Sequence, residues 1–251
     1  MQDRHVPFLG PQYWTVLVLA SIAGANMGDF VAEYLALGHV KGLPVLGVVL
    51  AAVLIAERRD NGFHTGWYWL AIVVIRTAAT NLADFLTVDL RFGQLWTIAG
   101  LSVLLFAVFP MARSEVRLFM SAVLIARTGE KGRPTTDFSY WLTMIVASTL
   151  GTVLGDWCTF GLGLGALKSS VALSLAMSLV FALHLRRPFP RLLLYWITIV
   201  AVRAACTAIG DVLARDPRLH LGLALSTALT FTAVVVFAWL WRARASERTP
   251  S

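Results

Sequence analysis

Residues 13–29 read YWTVLVLASIAGANMGD: a tyrosine–tryptophan pair, a long apolar run without a charge, then small residues and an acid. The frame recurs at 68–84 (YWLAIVVIRTAATNLAD), 140–156 (YWLTMIVASTLGTVLGD) and 195–211 (YWITIVAVRAACTAIGD). Asp29, Asp84, Asp156 and Asp211 each stand sixteen residues after their tyrosine. Self-similarity at a regular spacing is the signature of an architecture built from stacked units. The four starts are 55, 72 and 55 residues apart, so two halves are offset by 127 residues with 17 extra between the second and third units. Eight residues after the tyrosine the units alternate, Ser21, Arg76, Ser148 and Arg203. The halves therefore resemble each other more than the quarters do, and two-fold symmetry should exceed four-fold.

The chain around these frames has 251 residues, 58% hydrophobic and 14% charged, with a mean hydropathy of +0.73. Soluble domains carry about 25% charge, so composition points to an integral membrane protein. Eight segments are apolar enough to be spans, near 13–34, 43–56, 68–87, 95–112, 140–160, 167–185, 195–213 and 221–241, against a need of roughly 17–25 residues each. The second contains Pro44 and either tilts or draws residues back to His39. Residues 1–25 also have the look of a secretory signal, but the same segment recurs three times inside the chain, where no signal peptidase acts. The predicted organisation is an all-α integral membrane protein of eight transmembrane helices, from four tandem two-helix repeats. Residues 1–112 form the first half, 113–137 a cytoplasmic or interfacial linker, and 138–251 the second half with a basic tail. Leu118–Ala126 in the linker is too short to span.

Orientation follows from basic residues at helix ends. Fourteen lie on the side of the Tyr-Trp pairs and five on the other. Both termini are expected in the cytoplasm, with the Tyr-Trp pairs in an aromatic belt at that interface. Sixteen residues at about 1.5 Å each put the aspartates roughly 24 Å away, in the outer third of the bilayer. Two spans per repeat make all four copies enter in one direction, so the repeats are parallel about an axis along the membrane normal.

Just before each acid come small residues four apart: Gly24 and Gly28, Ala79 and Ala83, Gly151 and Gly155, Cys206 and Gly210. Such stripes let helix backbones approach closely in lipid. Four carboxylates at one depth repel one another unless protonated, paired or bound to cations. Hard divalent cations take oxygen ligands, and Asp29, Asp84, Asp156 and Asp211 are the candidate metal ligands. Asn26, Asn81, Thr80, Thr152 and Thr207 are auxiliary donors, and Glu33 a further ligand at the outer mouth. The competing reading makes each aspartate a helix cap or loop anchor.

A mid-bilayer arginine costs at least ~2.5 kcal/mol on insertion scales, so Arg76 and Arg203 should face the bundle interior and find an anionic or carbonyl partner in another repeat. They are candidates for a structural ion pair or for a gate. Asp89 and Asp216, each followed two residues later by arginine, read as loop charges. The five histidines form no metal motif, two cysteines build no disulfide scaffold or cluster site, and no phosphate-binding loop, GxSxG or dinucleotide fingerprint stands in a fitting context.

The Tyr-Trp pairs and the small-x-x-x-small-Asp endings resemble a bacterial family of membrane-anchored proteins built on a four-copy repeat of unknown function, with two spans and a tryptophan per repeat. The likeness covers nearly the whole chain, except that Ala83 replaces glycine in the second copy. It implies a bacterial inner membrane and names no activity.

The expected function is transport of a cation, a hard divalent ion, with proton coupling, through the aspartate ring, with Arg76 and Arg203 as barrier or exchange partners. The alternatives are a non-transporting scaffold with structural aspartates and, more weakly, a membrane enzyme acting on lipid or quinone; no convincing nucleophile–base pair is present, and no enzymatic activity is expected. The partners implied are the bilayer and a small inorganic cation, with no nucleic acid and no cofactor; a homo-oligomer is compatible with the sequence.

Overall fold

A computed structural model describes residue 7 and residues 10–60, 65–108, 138–186 and 191–246. Among the described residues the protein is all-helical: α1 (Pro11–Asp29), α2 (Gly38–Arg59), α3 (Gly66–Asp84), α4 (Gln94–Val108), α5 (Phe138–Asp156), α6 (Gly165–Arg186), α7 (Arg191–Arg215) and α8 (Gly222–Ser246). Apolar segments in lipid satisfy their backbone groups internally, which is why uncharged runs of this length become helices. Seven are long and apolar enough to cross a membrane, Pro11–Tyr34, Gly38–Arg59, Gly66–Asp89, Phe138–Gly161, Gly165–Leu183, Leu193–Arg215 and Gly222–Leu240. The doubtful second span is a full helix that begins before His39 and carries Pro44 inside. The span expected near 95–112 is described only as Gln94–Val108, a shorter apolar helix; its end and the 113–137 linker lie outside the described residues.

Helices α1, α3, α5 and α7 pack in a closed ring, each against the next and α7 against α1. The other four lie outside it, and each packs on the inner helix of the following unit: α2 on α3, α4 on α5, α6 on α7, and α8 back on α1. Burial separates the two layers. In the inner spans 61–72% of the apolar window is buried, while in α2, α6 and α8 only 11–17% is. The outer faces carry Val48, Ile55, Val171, Leu175, Leu179 and Val235 to the surroundings, as helices in hydrocarbon should.

Small residues set the spacing of the ring. A Cβ on Gly24 would overlap Cβ of Arg76, one on Gly28 would lie 2.5 Å from Thr80, and one on Gly151 2.6 Å from Arg203 Cβ and 2.8 Å from the Val200 carbonyl. The stripes before the acids are thus the faces on which α1 meets α3 and α5 meets α7, with packing supplying the attraction that hydrophobic burial does not supply in lipid.

One expectation is overturned here. The four tyrosines do not stand in an interfacial belt but are buried together inside the ring, at 0–5% exposure. Their hydroxyls close a cycle, Tyr13–Tyr68 2.9 Å, Tyr68–Tyr140 2.7 Å, Tyr140–Tyr195 3.0 Å and Tyr195–Tyr13 2.8 Å. A buried phenol needs a partner, and four at one depth supply each other, one donor and one acceptor apiece. Each ring also meets its own tryptophan edge-on at 5.1–5.2 Å, and Trp69, Trp141 and Trp196 are buried with them.

Candidate functional site

Counting along each inner helix in fours from its tyrosine follows one helix face. Four residues on stand Leu17, Ile72, Met144 and Ile199, all fully buried in the tyrosine core. Eight residues on come Ser21, Arg76, Ser148 and Arg203, also fully buried. Arg203 reaches three other helices: its Nε donates to Thr152 Oγ1 (2.8 Å), its Nη1 to the Ser21 carbonyl (2.7 Å), and its Nη2 to the Arg76 carbonyl (3.1 Å) and Thr80 Oγ1. Arg76 donates to Ser148 Oγ (2.9 Å) and to Met144 Sδ (3.7 Å), and its Nε is buried without a partner. The arginines find partners in other units, as expected, but the structural ion pair is not formed: among the described residues neither meets a carboxylate. Each sits about two turns from the nearest aspartate layer, and hydroxyls and carbonyls of the other inner helices are nearer.

Beyond the arginines the ring opens into a cavity of about 330 Å3. Ala25, Thr80, Thr152 and Thr207 line it twelve residues after their tyrosines, Asp29, Asp84, Asp156 and Asp211 at sixteen, and Glu33, Val88, Phe160 and Arg215 at twenty. Asn26, His39, Thr87 and Gln94 complete the wall. Four acids spread over the whole chain thus face one space.

The helix ends explain how. Helices α1, α3 and α5 stop at the acid, and one wider π turn follows, Phe30–Tyr34, Phe85–Asp89 and Trp157–Gly161, closed by the N–H of Leu35, Leu90 and Leu162 donating five residues back at 2.8–2.9 Å. The chain then leaves through a left-handed residue, Ala36, Arg91 or Gly163. Single π turns inside α-helices are frequent at functional sites. In the fourth unit α7 runs on without one to Arg215. The side chains of Asp29, Asp84 and Asp156 make no capping hydrogen bond to the turn they precede.

The carboxylates differ in their partners. Arg215 donates to both Asp29 and Glu33 at 2.8 Å. Asp84 lies 3.7 Å from His39 Nε2, whose Nδ1 is 2.9 Å from Asp89. Asp156 has no hydrogen-bond partner among the described residues, and Asp211, 9% exposed, keeps Oδ2 buried and unpartnered. Thr207 Oγ1 and Asn26 Nδ2 are likewise buried without partners.

The auxiliary donors expected beside the acids are engaged to different extents. The hydroxyls of Thr80 and Thr152 are taken by Arg203 and by the carbonyls of Arg76 and Ser148. Asn81 lies outside the cavity wall; its amide donates to the Gly28 and Thr77 carbonyls. Among the described residues no three His, Cys, Asp or Glu side chains come close enough to hold a metal ion. Sequence reasoning missed Arg215, His39 and the tyrosine cycle. The first was visible as the residue at the Glu33 offset in the fourth unit.

A repeat family model, described as a Repeat of Unknown Function (DUF347), matches residues 12–62, 139–188 and 194–246. The chain belongs to the DUF347 repeat family. The three matches fall on the first, third and fourth Tyr-Trp units and together cover more than half of the chain. No curated protein and no solved structure matches it. Membership of the DUF347 family brings no substrate and no mechanism, so function is argued from the cavity.

An apolar groove of about 350 Å3 lies between α4, α5, α6 and α7, against Trp196. Among the described residues its wall offers the polar or nucleophilic side chains of Ser102 and Cys158, and no acid or histidine lines it.

Proposed function

We propose that this DUF347 protein is a cation transporter of the bacterial inner membrane, acting without covalent chemistry on a hard divalent ion. In this reading four parallel two-helix units give eight crossings around an axis normal to the bilayer, with both termini in the cytoplasm and the aspartate cavity facing outward. The observation that carries it is the shared cavity of Asp29, Asp84, Asp156 and Asp211. Carboxylates so gathered in a membrane interior call for a positive guest or for protons, and among the described residues Asp156 and Asp211 have no hydrogen-bond or ion-pair partner to answer that need. Arg76 and Arg203 below them are the barrier that a cation must displace or be exchanged against, and proton coupling follows if the acids carry protons on the return. The scaffold reading loses support because Asp29, Asp84 and Asp156 do not cap the turns they precede.

The test is divalent-ion uptake into proteoliposomes, with a pH-sensitive dye inside. Asp84→Asn, Asp156→Asn and Asp211→Asn together should abolish uptake and the accompanying pH change. Flux that survives with Asp29→Asn added would refute the proposal. A variant that only melts earlier, from a wild type with no ion response, would favour the scaffold.

A further inference from the structure

We propose that the aspartate cavity takes its divalent cation with the water shell intact and recognises the hydrated ion through hydrogen bonds, not through direct metal–carboxylate bonds. The inference rests on the cation reading above and specifies the species bound.

Size is the first ground. Treated as a sphere, the cavity of about 330 Å3 would be roughly 8.6 Å across, wide enough for an ion whose first-shell oxygens stand ~2.1 Å from it. Six waters at about 30 Å3 each need on the order of 180 Å3, which the space holds. The second ground is dispersion: the acids enter from separate helices of a ring whose neighbours stand about 8–10 Å apart, and no three of the described acids, histidines or cysteines converge on one point. A cage that replaces the shell needs such convergence; a wall that accepts hydrogen bonds from it does not.

The third ground is the unspent polar atoms. Asp211 Oδ2 and Thr207 Oγ1 are buried, belong to residues of the wall, and have no partner, and Asp156 has no hydrogen bond among the described residues. Metal-bound waters are strong donors pointing outward, which suits acceptors of this kind. Magnesium sheds its waters reluctantly, so a site of this form favours it over calcium, whose direct ligands number six to eight.

The decisive probe is hexaamminecobalt(III), which has the size and outward N–H donors of a hydrated ion and does not exchange its ligands. Melting temperature of the purified protein is measured against magnesium, calcium and hexaamminecobalt(III). The complex should raise it at concentrations equal to or below those magnesium needs, and the shift should disappear in Asp156→Asn/Asp211→Asn. Stabilisation by magnesium or calcium with none by the cobalt complex overturns the inference and leaves the cation reading standing. No shift with any of the three defeats both. A readout free of variants is proton ENDOR of bound manganese(II): six retained waters support the hydrated ion, and five or fewer refute it.

Discussion

Tyr140 shows how strongly one atom is determined when its surroundings are closed. Its hydroxyl bridges Tyr68 and Tyr195, and in Tyr140→Phe the ring carbon that carried the oxygen still occupies the space beside the vacated position, too near for a water in van der Waals contact. Water cannot substitute, so Tyr140→Phe leaves two buried groups half-paired and should lower stability by about 1–3 kcal/mol, read from a denaturation curve in detergent. Removing opposite hydroxyls, Tyr13→Phe/Tyr140→Phe, should cost more than removing the adjacent pair Tyr13→Phe/Tyr68→Phe, because only the adjacent deletion spares a hydrogen bond. Equal losses would mean that the cycle contributes nothing as a unit. Arg203 is a second case. Its fork serves acceptors on three helices, whereas Arg76 makes two side-chain contacts, so Arg203→Lys should destabilise more than Arg76→Lys by at least one charge-assisted hydrogen bond, about 1.5–3 kcal/mol. Comparison of the two melting curves checks it.

At the scale of elements, the same residue type has opposite consequences in the two layers. Gly151 of α5 lies against the Arg203 side chain and the Val200 carbonyl, while Gly47 of the outer helix α2 has open space around its missing Cβ. Gly151→Ala must push α5 from α7 and should lower stability by about 1–3 kcal/mol. Gly47→Ala meets nothing and should be neutral or stabilising by up to about 1 kcal/mol, the helix-propensity gain; a shared sign in thermal melts would sink this account of the stripes. The stripes themselves were legible as text, since small residues four apart leave a groove whatever surrounds them. That the groove of α5 would receive an arginine of α7 was not legible, because it depends on the rotation of a neighbouring helix.

At the scale of the molecule, the handover of each outer helix to the next unit ties the halves into one ring. Helix α4 packs on α5, and α8 returns to α1, so each half contributes two of the four aspartates and neither encloses the cavity. Residues 1–112 and 138–251 expressed as separate chains should co-purify from one membrane, and neither alone should show the cooperative melt of the pair. A stable, cooperatively melting half would argue against the closed ring.

The sequence by itself determined seven of the spans, the repeated frame and the sixteen-residue offset of the acids, because hydropathy, spacing and rise per residue are local properties of one helix. It also held, unread, the step of four that runs from Tyr13 through Leu17, Ser21, Ala25 and Asp29 to Glu33. Only the tertiary structure decided which way that face turns. Tyrosine and tryptophan suit a membrane interface as well as a buried core, and what separated the two was the presence, for each tyrosine, of two further hydroxyls within 3.0 Å, supplied by other helices. The partners of Arg203, the hold of Arg215 on Asp29 and Glu33, and the meeting of the aspartates in one cavity arose in the same way: each joins atoms far apart in the chain, and their distance exists only once the ring has closed.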